Sequence, residues 1–189
     1  MFPVYLKLGI DHILNIEAYD HILFLVALCA MYAATEWKRI LILITAFTIG
    51  HSITLALSSL NIISINPNLV EVLIPFTILI TSLQNLFSKP RPDLRWRPSY
   101  LLALFFGFIH GMGFSTYFKA LLGKESSIVN PLFGFNVGVE TGQICIVFCI
   151  LVFNYFIVGV GKVKQTHWNI VVSSIAAILS VYMIILKLK

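Results

Sequence analysis

Long apolar runs separated by short polar connections dominate the chain. Each run has about 20 residues or more, the length that an α-helix needs to cross roughly 30 Å of hydrocarbon. There are six of them: Glu17–Thr35, Arg39–Leu60, Asn68–Phe87, Tyr100–Leu122, Leu132–Val160 and His167–Leu188. Backbone polar groups in lipid must be satisfied within their own segment, so runs of this length predict helices rather than the shorter strands of a barrel. The pattern predicts an all-α integral membrane protein, a six-transmembrane-helix bundle.

The first 16 residues, MFPVYLKLGIDHILNI, stand apart from these runs. They are too short and too polar to cross a bilayer as one helix. They also lack the charged start and small-residue cleavage site of a signal peptide. We expect an interfacial helix or a re-entrant piece over residues 1–16, followed by a single six-helix transmembrane domain over residues 17–189.

Composition agrees with a membrane protein and excludes several other classes. Apolar residues make up 59% of the 189 residues and charged residues 11%, and the mean hydropathy is +0.93. A soluble domain averages about 25% charged residues, so this chain is neither an ordinary soluble enzyme nor a disordered chain. Its basic residues are dispersed between apolar runs rather than gathered in one patch, which excludes nucleic acid as a partner.

Basic residues also predict the orientation, because cytoplasmic loops carry more of them. The side that holds the connections after the first, third and fifth spans carries 8, and the opposite side carries 5. The richer side includes the loop SKPRPDLRWRPS at residues 88–99, whose three prolines forbid a continuous helix. We expect this side to be cytoplasmic and both termini to lie on the other side.

A few ionisable residues fall inside the spans, where they are costly and usually face a bundle interior or a watery cavity. They are Glu17, Asp20, His21, His51, Glu71, His110 and Glu140. Alternating helix direction places all seven between the outer surface and the midplane. The sequence therefore predicts a one-sided polar site shared by four or five helices. Glu71 fits a helix N-terminal acid as well as a ligand, and His12 is expected to meet water at the interface.

Small residues mark one span as closely packed. Gly134, Gly138 and Gly142 recur at four-residue intervals around Glu140. Glycines at this spacing let two helices approach closely. We predict that the fifth span is a tightly packed interior helix.

The residue types in the spans suit a transition metal but leave its identity open. Imidazole and carboxylate together suit Zn, Ni, Co or Fe. The three cysteines lie in apolar stretches and form no thiolate set. Metal transport, proton relay and metal-assisted hydrolysis all use such ligands, so the inventory alone does not select among them. In the inner half, Gln84 and Asn85 fit either an inner gate or helix-end capping.

Several ordered motifs resemble one known family. They are DHILFL at 20–25, TAFTIGHSITLAL at 45–57, VE at 70–71, FGFIHGMGF at 106–114 and FNVGVETGQ at 135–143. Together they are similar to the HupE/UreJ family of small bacterial integral membrane proteins, described as nickel permeases or as accessory proteins of hydrogenase and urease. Carried over residue by residue, the resemblance implies metal contacts from Asp20, His21, His51, His110 and Glu140. It also implies a multi-pass protein of the bacterial inner membrane. In such a membrane the count of basic residues places both termini in the periplasm.

The chain departs from the nickel-permease pattern at two points. Those members have a histidine five or six residues before the Asp-His pair, whereas His12 lies eight residues before Asp20. Their fourth-span motif carries additional histidine, whereas this chain has His110 alone. The chain therefore resembles the second, less characterised branch of the family.

Two functions follow from these features. The first is a divalent metal permease or metal-handling protein with an outward-facing His/carboxylate site for nickel or zinc. The alternative is an intramembrane zinc-dependent hydrolase or acyltransferase acting on lipid or a lipid-linked substrate at the outer leaflet, with Glu140 or Glu71 as base and Ser52 positioning substrate. A non-catalytic membrane subunit or chaperone is a third hypothesis. Candidate partners are membrane lipids, the metal ion, a second copy of the chain and a metalloenzyme-maturation protein.

Overall fold

The architecture is helical throughout the part of the chain that the computed structural model describes, which is residues 2–87, 96–122 and 127–188, without the side chains of residues 18 and 96–98. The helices are α1 (Phe2–Leu14), α2 (Tyr19–Ala30), α3 (Trp37–Ser59), α4 (Pro67–Phe87), α5 (Trp96–Leu122), α6 (Val129–Asn154) and α7 (Gln165–Lys187). Short 3₁₀ turns precede α2 and α3, and a π-helical turn, Tyr155–Val160, extends α6. No strand occurs in these ranges, so the prediction of an all-α membrane bundle is confirmed.

Five helical stretches of the described residues are long and apolar enough to cross a membrane. They are Ala34–Ser59, Pro67–Phe87, Ser99–Leu122, Val129–Val160 and Gln165–Lys187, in good agreement with the last five predicted spans. A sixth crossing requires α1 and α2 together, which are bent by 69° at the residues between them. The protein is therefore a multi-pass membrane protein with five or six spans. We call the end at which α3 and α5 finish the outer end, and the opposite end the inner one.

The contacts of α1 and α2 indicate that the pair is one broken span. Phe2 packs on Gly134 at the outer start of α6. At the far end of the pair, the Asn85 side chain near the inner end of α4 donates a hydrogen bond to the Ala27 carbonyl over 2.7 Å. Because α4 and α6 run in the same direction, these two contacts lie at opposite ends of the bundle. The division of the chain at residue 16 stays a prediction, but residues 2–14 lie lengthwise on α6.

Glycine makes the contact between α1 and α6 possible. A Cβ atom at Gly138 would overlap the carbonyl oxygen of Leu6, and one at Gly9 would overlap that of Phe135. Gly142 packs on Ile13 in the same way. The predicted glycine seam of the fifth span is present and its partner is the N-terminal helix, but the prediction of an interior helix is wrong: this span is 17% buried, the least of the five described spans, because much of its surface is not covered by another described helix.

A second glycine seam joins α3 to α5. A Cβ at Gly107 would overlap the Phe47 carbonyl, and one at Gly111 would overlap the carbonyl of His51. Gly50 meets the α5 backbone in the same manner. Since these glycines flank His51 and His110, the seam fixes the helix positions from which both imidazoles contact the Phe47 ring.

The orientation rests partly on residues outside this description. Residues 88–95 of the basic loop and Lys124 lie outside the described residues. The placement of the inner end in the cytoplasm therefore stays a prediction.

Candidate metal centre

Four histidines meet where the first span is broken. His12 near the end of α1 and His21 near the start of α2 have ring centroids 4.6 Å apart. The His51 ring on α3 lies 6.0 Å from that of His12, and the His110 ring on α5 lies 5.2 Å from that of His21. We call these four residues the histidine cluster.

Three members of the cluster offer ligand atoms at metal-binding range. His12, His21 and His51 each present one ring nitrogen, and these atoms lie within 4.8 Å of one another. A tetrahedral metal with bonds of about 2.0–2.1 Å holds its ligands about 3.3 Å apart. The imidazoles must therefore converge by at most roughly 1.5 Å, which is within the reach of side-chain rotation. The residues present fit a divalent transition metal.

Asp20 fixes the tautomer of His21. Its Oδ1 accepts a hydrogen bond from the His21 backbone N–H over 2.8 Å and lies 2.9 Å from His21 Nδ1. A carboxylate only accepts, so Nδ1 carries the proton and the lone pair is on Nε2. That nitrogen is buried and has no hydrogen-bond partner. A carboxylate that orients an imidazole in this way is the usual outer-shell partner of a metal-ligating histidine.

Thr77 fixes the tautomer of His110 in a similar manner. The Thr77 hydroxyl donates its single proton to the Ile74 carbonyl over 2.7 Å, so it must accept from His110 Nε2 at 3.0 Å. Nδ1 of His110 is then the atom with the free lone pair, and it is buried without a partner. His110 is thus in the tautomer that leaves Nδ1 free to bind, although it lies outside the group of three histidines with ligand nitrogens within 4.8 Å of one another.

Unpartnered polar atoms concentrate in the histidine cluster. Among the described residues nine buried side-chain nitrogen or oxygen atoms have no hydrogen-bond partner, and five of them are imidazole nitrogens of the cluster. Both ring nitrogens of His51 belong to this group, although that side chain is 0% exposed. Each such atom costs about 1–3 kcal/mol when left unsatisfied. A metal ion accepts only lone pairs, so it can satisfy at most one nitrogen of each ring, and the second nitrogen of His51 needs a hydrogen-bond acceptor such as the neighbouring Asn136 side chain.

Aromatic rings enclose the cluster. Phe114 lies 4.0 Å from the His12 ring and is stacked on Phe135 at 4.9 Å. On the opposite side, Phe24 and Phe47 lie 5.2 and 5.0 Å from another imidazole of the cluster. The four phenylalanines exclude water, which strengthens electrostatic interactions inside.

Amide side chains of α6 border the cluster. The Thr48 hydroxyl, one turn before His51 on α3, shares its proton between Gln143 Oε1 at 2.7 Å and the Ile44 carbonyl at 3.0 Å. The Gln143 Nε2 atom and the Asn136 Oδ1 atom are buried without partners, and Asn136 lies beside His51. These groups are available to bind a metal-bound water or to orient a ligand.

The other residues selected from the sequence lie in separate contacts. Glu140 accepts a hydrogen bond from Thr45 over 2.7 Å and is outside the three-histidine group. Its predicted role as a metal contact stays a prediction, as does that of Asp20. Glu71 is half exposed and pairs with Lys187 at 2.7 Å near the outer end.

Two further residues are also engaged elsewhere. The Ser52 hydroxyl donates to the Thr48 carbonyl over 2.6 Å. Glu17 is exposed at the break, where its backbone N–H donates to Asn15 over 3.0 Å. The structure thus brings Asp20, His21, His51 and His110 together and leaves the candidate acid, base and hydroxyl groups of an enzyme apart from them.

His12 is the member of the histidine cluster that the sequence alone does not select. Its segment was expected at the interface, and its spacing from Asp20 departs from the family pattern. The spacing between His12 and Asp20 was the available signal. A break after α1 brings a histidine at this spacing close to the Asp20–His21 pair. His12, eight residues before Asp20, then takes the position that a histidine five or six residues before the Asp-His pair is expected to take in the nickel-permease pattern.

Comparison with known proteins gives one match. The sequence model of the family described as HupE / UreJ protein matches residues 1–187. No curated protein and no solved structure matches the chain. The match covers nearly the whole chain, including every member of the histidine cluster, and the family is associated with the handling of nickel and cobalt. The chain belongs to the HupE/UreJ family of membrane proteins.

Proposed function

We propose that the protein is a permease for a divalent transition metal, with nickel, cobalt or zinc as its cargo. The observation that carries the proposal is the convergence of four histidines that have buried ring nitrogens without hydrogen-bond partners and lie among phenylalanine rings. Membership of the HupE/UreJ family supports a general role in metal handling. The cargo enters from the outer end, in the orientation that the basic residues favour.

The cluster has the donor set that such a cargo prefers. Imidazole nitrogen suits nickel, cobalt and zinc better than magnesium or calcium, which prefer oxygen. His12, His21 and His51 would bind the ion, and His110 would complete the site through Nδ1. Asp20 supplies one negative charge next to the ion and holds His21 in the metal-binding tautomer. Selectivity against hard cations follows from the absence of a carboxylate in the three-nitrogen group.

The structure gives no specific support to the alternative of a zinc hydrolase or acyltransferase. Glu71 is paired with Lys187 outside the cluster, and Ser52 is hydrogen-bonded to its own helix. Glu140 is held by Thr45. A base for a metal-bound water would have to come from a rearrangement of these contacts, so the alternative becomes an outcome of the experiment below.

The test measures binding and transport in the same preparation. Purified protein is titrated with Ni²⁺, Co²⁺ and Zn²⁺, and then reconstituted into proteoliposomes for uptake of each ion. We expect one ion per chain and saturable uptake. His12→Ala and His51→Ala should each lower affinity by more than the about 10–100-fold that loss of an outer-shell partner costs.

The matched control is His167→Ala. His167 is an exposed histidine at the start of α7, outside the cluster, so its loss should leave affinity unchanged. Binding without uptake of any of the three ions would contradict the permease and favour a metal-dependent enzyme or an accessory protein. If His51→Ala bound the metal as tightly as the wild type does, the proposed metal site would be wrong.

A further inference from the structure

A pocket lies at the inner ends of α2, α4 and α5, separate from the histidine cluster. Its lining includes Leu28, Thr81, Asn85, Ser99 and Phe106. Two hydroxyl-bearing side chains, Thr81 and Ser99, and the amide of Asn85 therefore line a space near the inner ends of these helices. No role in the proposed function has yet been given to this pocket.

The same three helices connect the pocket to the cluster, one turn at a time. Each contributes a residue at the level of the cluster, a second one turn further inward and a third in or next to the pocket. The sets are His21, Phe24 and Leu28 on α2; Thr77, Thr81 and Asn85 on α4; and His110, Phe106 and Ala103 on α5. On α4 all three side chains are polar and buried, so a polar stripe runs from the His110 partner into the pocket.

Phenylalanine rings close the way between the cluster and the pocket. Phe24 stacks on Phe47 at 4.8 Å and lies 6.2 Å edge-on from Phe106. All three side chains are at most 2% exposed. Phe106 also lines the pocket, so a single layer of aromatic rings separates the buried nitrogens from the open space. The Phe106 ring contacts Phe24 and is not among the rings that touch a histidine of the described chain.

We propose that Phe24 and Phe106 form the inner gate of the permease, and that the pocket is the vestibule into which the metal ion is released. The inference rests on the proposed function. An ion that leaves the cluster regains water, and hydroxyl and amide oxygens stabilise a hydrated cation without binding it tightly. This explains why the inner half needs no histidine.

The experiment measures how fast bound metal leaves. Wild-type protein is loaded with Ni²⁺, and release to a chelator on the inner side of reconstituted vesicles is followed in time. Phe106→Ala should speed release at least tenfold and change the dissociation constant less than threefold. The reason is that Phe106 contacts no ligand nitrogen, so its loss lowers the barrier for entry and exit alike. Phe106→Leu should fall between the two.

The matched control is Phe105→Ala. Phe105 precedes the gate on the same helix, but 55% of its surface is exposed on the outside of the bundle. Its removal should leave the release rate unchanged. A second measurement covers the case in which Phe106→Ala does not fold. Thr81→Cys, in a background without Cys29, Cys145 and Cys149, should react with a charged, membrane-impermeant thiol reagent from the inner side only.

The outcomes separate the gate from the permease. Tight Ni²⁺ binding and uptake in wild type, with no change of release in Phe106→Ala, would overturn the gate and leave the permease intact. No reaction of Thr81→Cys from the inner side would overturn the vestibule. Absence of Ni²⁺ binding by wild type would overturn both proposals together.

Discussion

The contact between α1 and α6 allows a prediction that links packing to metal affinity. Gly138→Ala adds a methyl group where α6 touches the backbone of α1. In the present geometry this methyl would overlap the Leu6 carbonyl oxygen. Restoring an ordinary contact distance requires the two helices to separate by roughly 1 Å, since neither backbone can rotate away.

The expected magnitude follows from that displacement. Overpacking of this kind costs about 1–3 kcal/mol of stability. His12 lies on α1, less than two turns beyond Leu6, and moves with the helix. Rotation of the imidazoles already has to close a gap of up to roughly 1.5 Å, and a working site holds its ligands to within about 0.5 Å, so a further displacement of α1 strains the bound state. We therefore expect metal affinity to fall about 10–100-fold, comparable with the loss of an outer-shell partner.

The assay is metal titration by calorimetry together with thermal unfolding of the metal-free protein. Gly9→Ala should have a similar effect from the other side of the contact, and the double variant should be less than additive because one separation relieves both overlaps. Gly159→Ala is the control, since a Cβ there meets only the Tyr155 ring at 3.4 Å or more. A lower melting temperature with unchanged metal affinity would refute the link between the seam and His12.

Three further predictions test individual contacts of the site. Asp20→Asn should lower metal affinity about 10–100-fold with little change in melting temperature, because it weakens the orientation of His21; unchanged affinity would assign Asp20 no role. Glu71→Gln removes an exposed ion pair with Lys187 and should leave metal affinity unchanged; a large loss would make Glu71 a ligand. Lowering the pH from about 8 to about 5 should weaken binding, because imidazole binds metal only when neutral; titration at each pH measures this, and full affinity at low pH would indicate carboxylate ligands instead.

Much of the architecture was accessible from the sequence because lipid imposes strict rules. The apolar runs after residue 34 became helices at nearly the predicted positions, since a crossing needs a fixed length. The glycine seam on α6 was also predicted, because close helix approach requires small residues at four-residue spacing. What spacing does not specify is the partner helix, and here it is α1.

The first span could not be predicted from the length of apolar runs. A crossing that is broken in the middle consists of two pieces of 13 and 12 residues, each too short to be recognised as a span. The sequence therefore predicts an interfacial helix or a re-entrant piece over residues 1–16, and it predicts that His12 meets water at the interface. The same break is what places His12 in the cluster.

The sequence also did not specify the direction in which each polar side chain faces around its helix. Depth arguments placed Glu71 and Glu140 at the level of the histidines, but in the structure they pair with Lys187 and Thr45. The expected one-sidedness has a similar origin. The site was expected in the outer half because only ionisable residues were counted; the sequence shows Asn85 in the inner half, but not that Thr77, Thr81 and Asn85 are all buried along one helix.

The break in the first span is itself explained by the geometry of the histidine cluster. Nine residues separate His12 from His21, and in a continuous helix they would lie about 13 Å apart along the axis. The break reduces the distance between their ring centroids to 4.6 Å. Backbone groups freed at a break inside a membrane must find other partners. The side chains of Asn15 and Asp20 accept two of these N–H groups, at 3.0 and 2.8 Å. Asp20 thus stabilises the start of α2 and orients His21 with the same oxygen atom, so the residue that makes the broken helix tolerable also prepares the imidazole for metal.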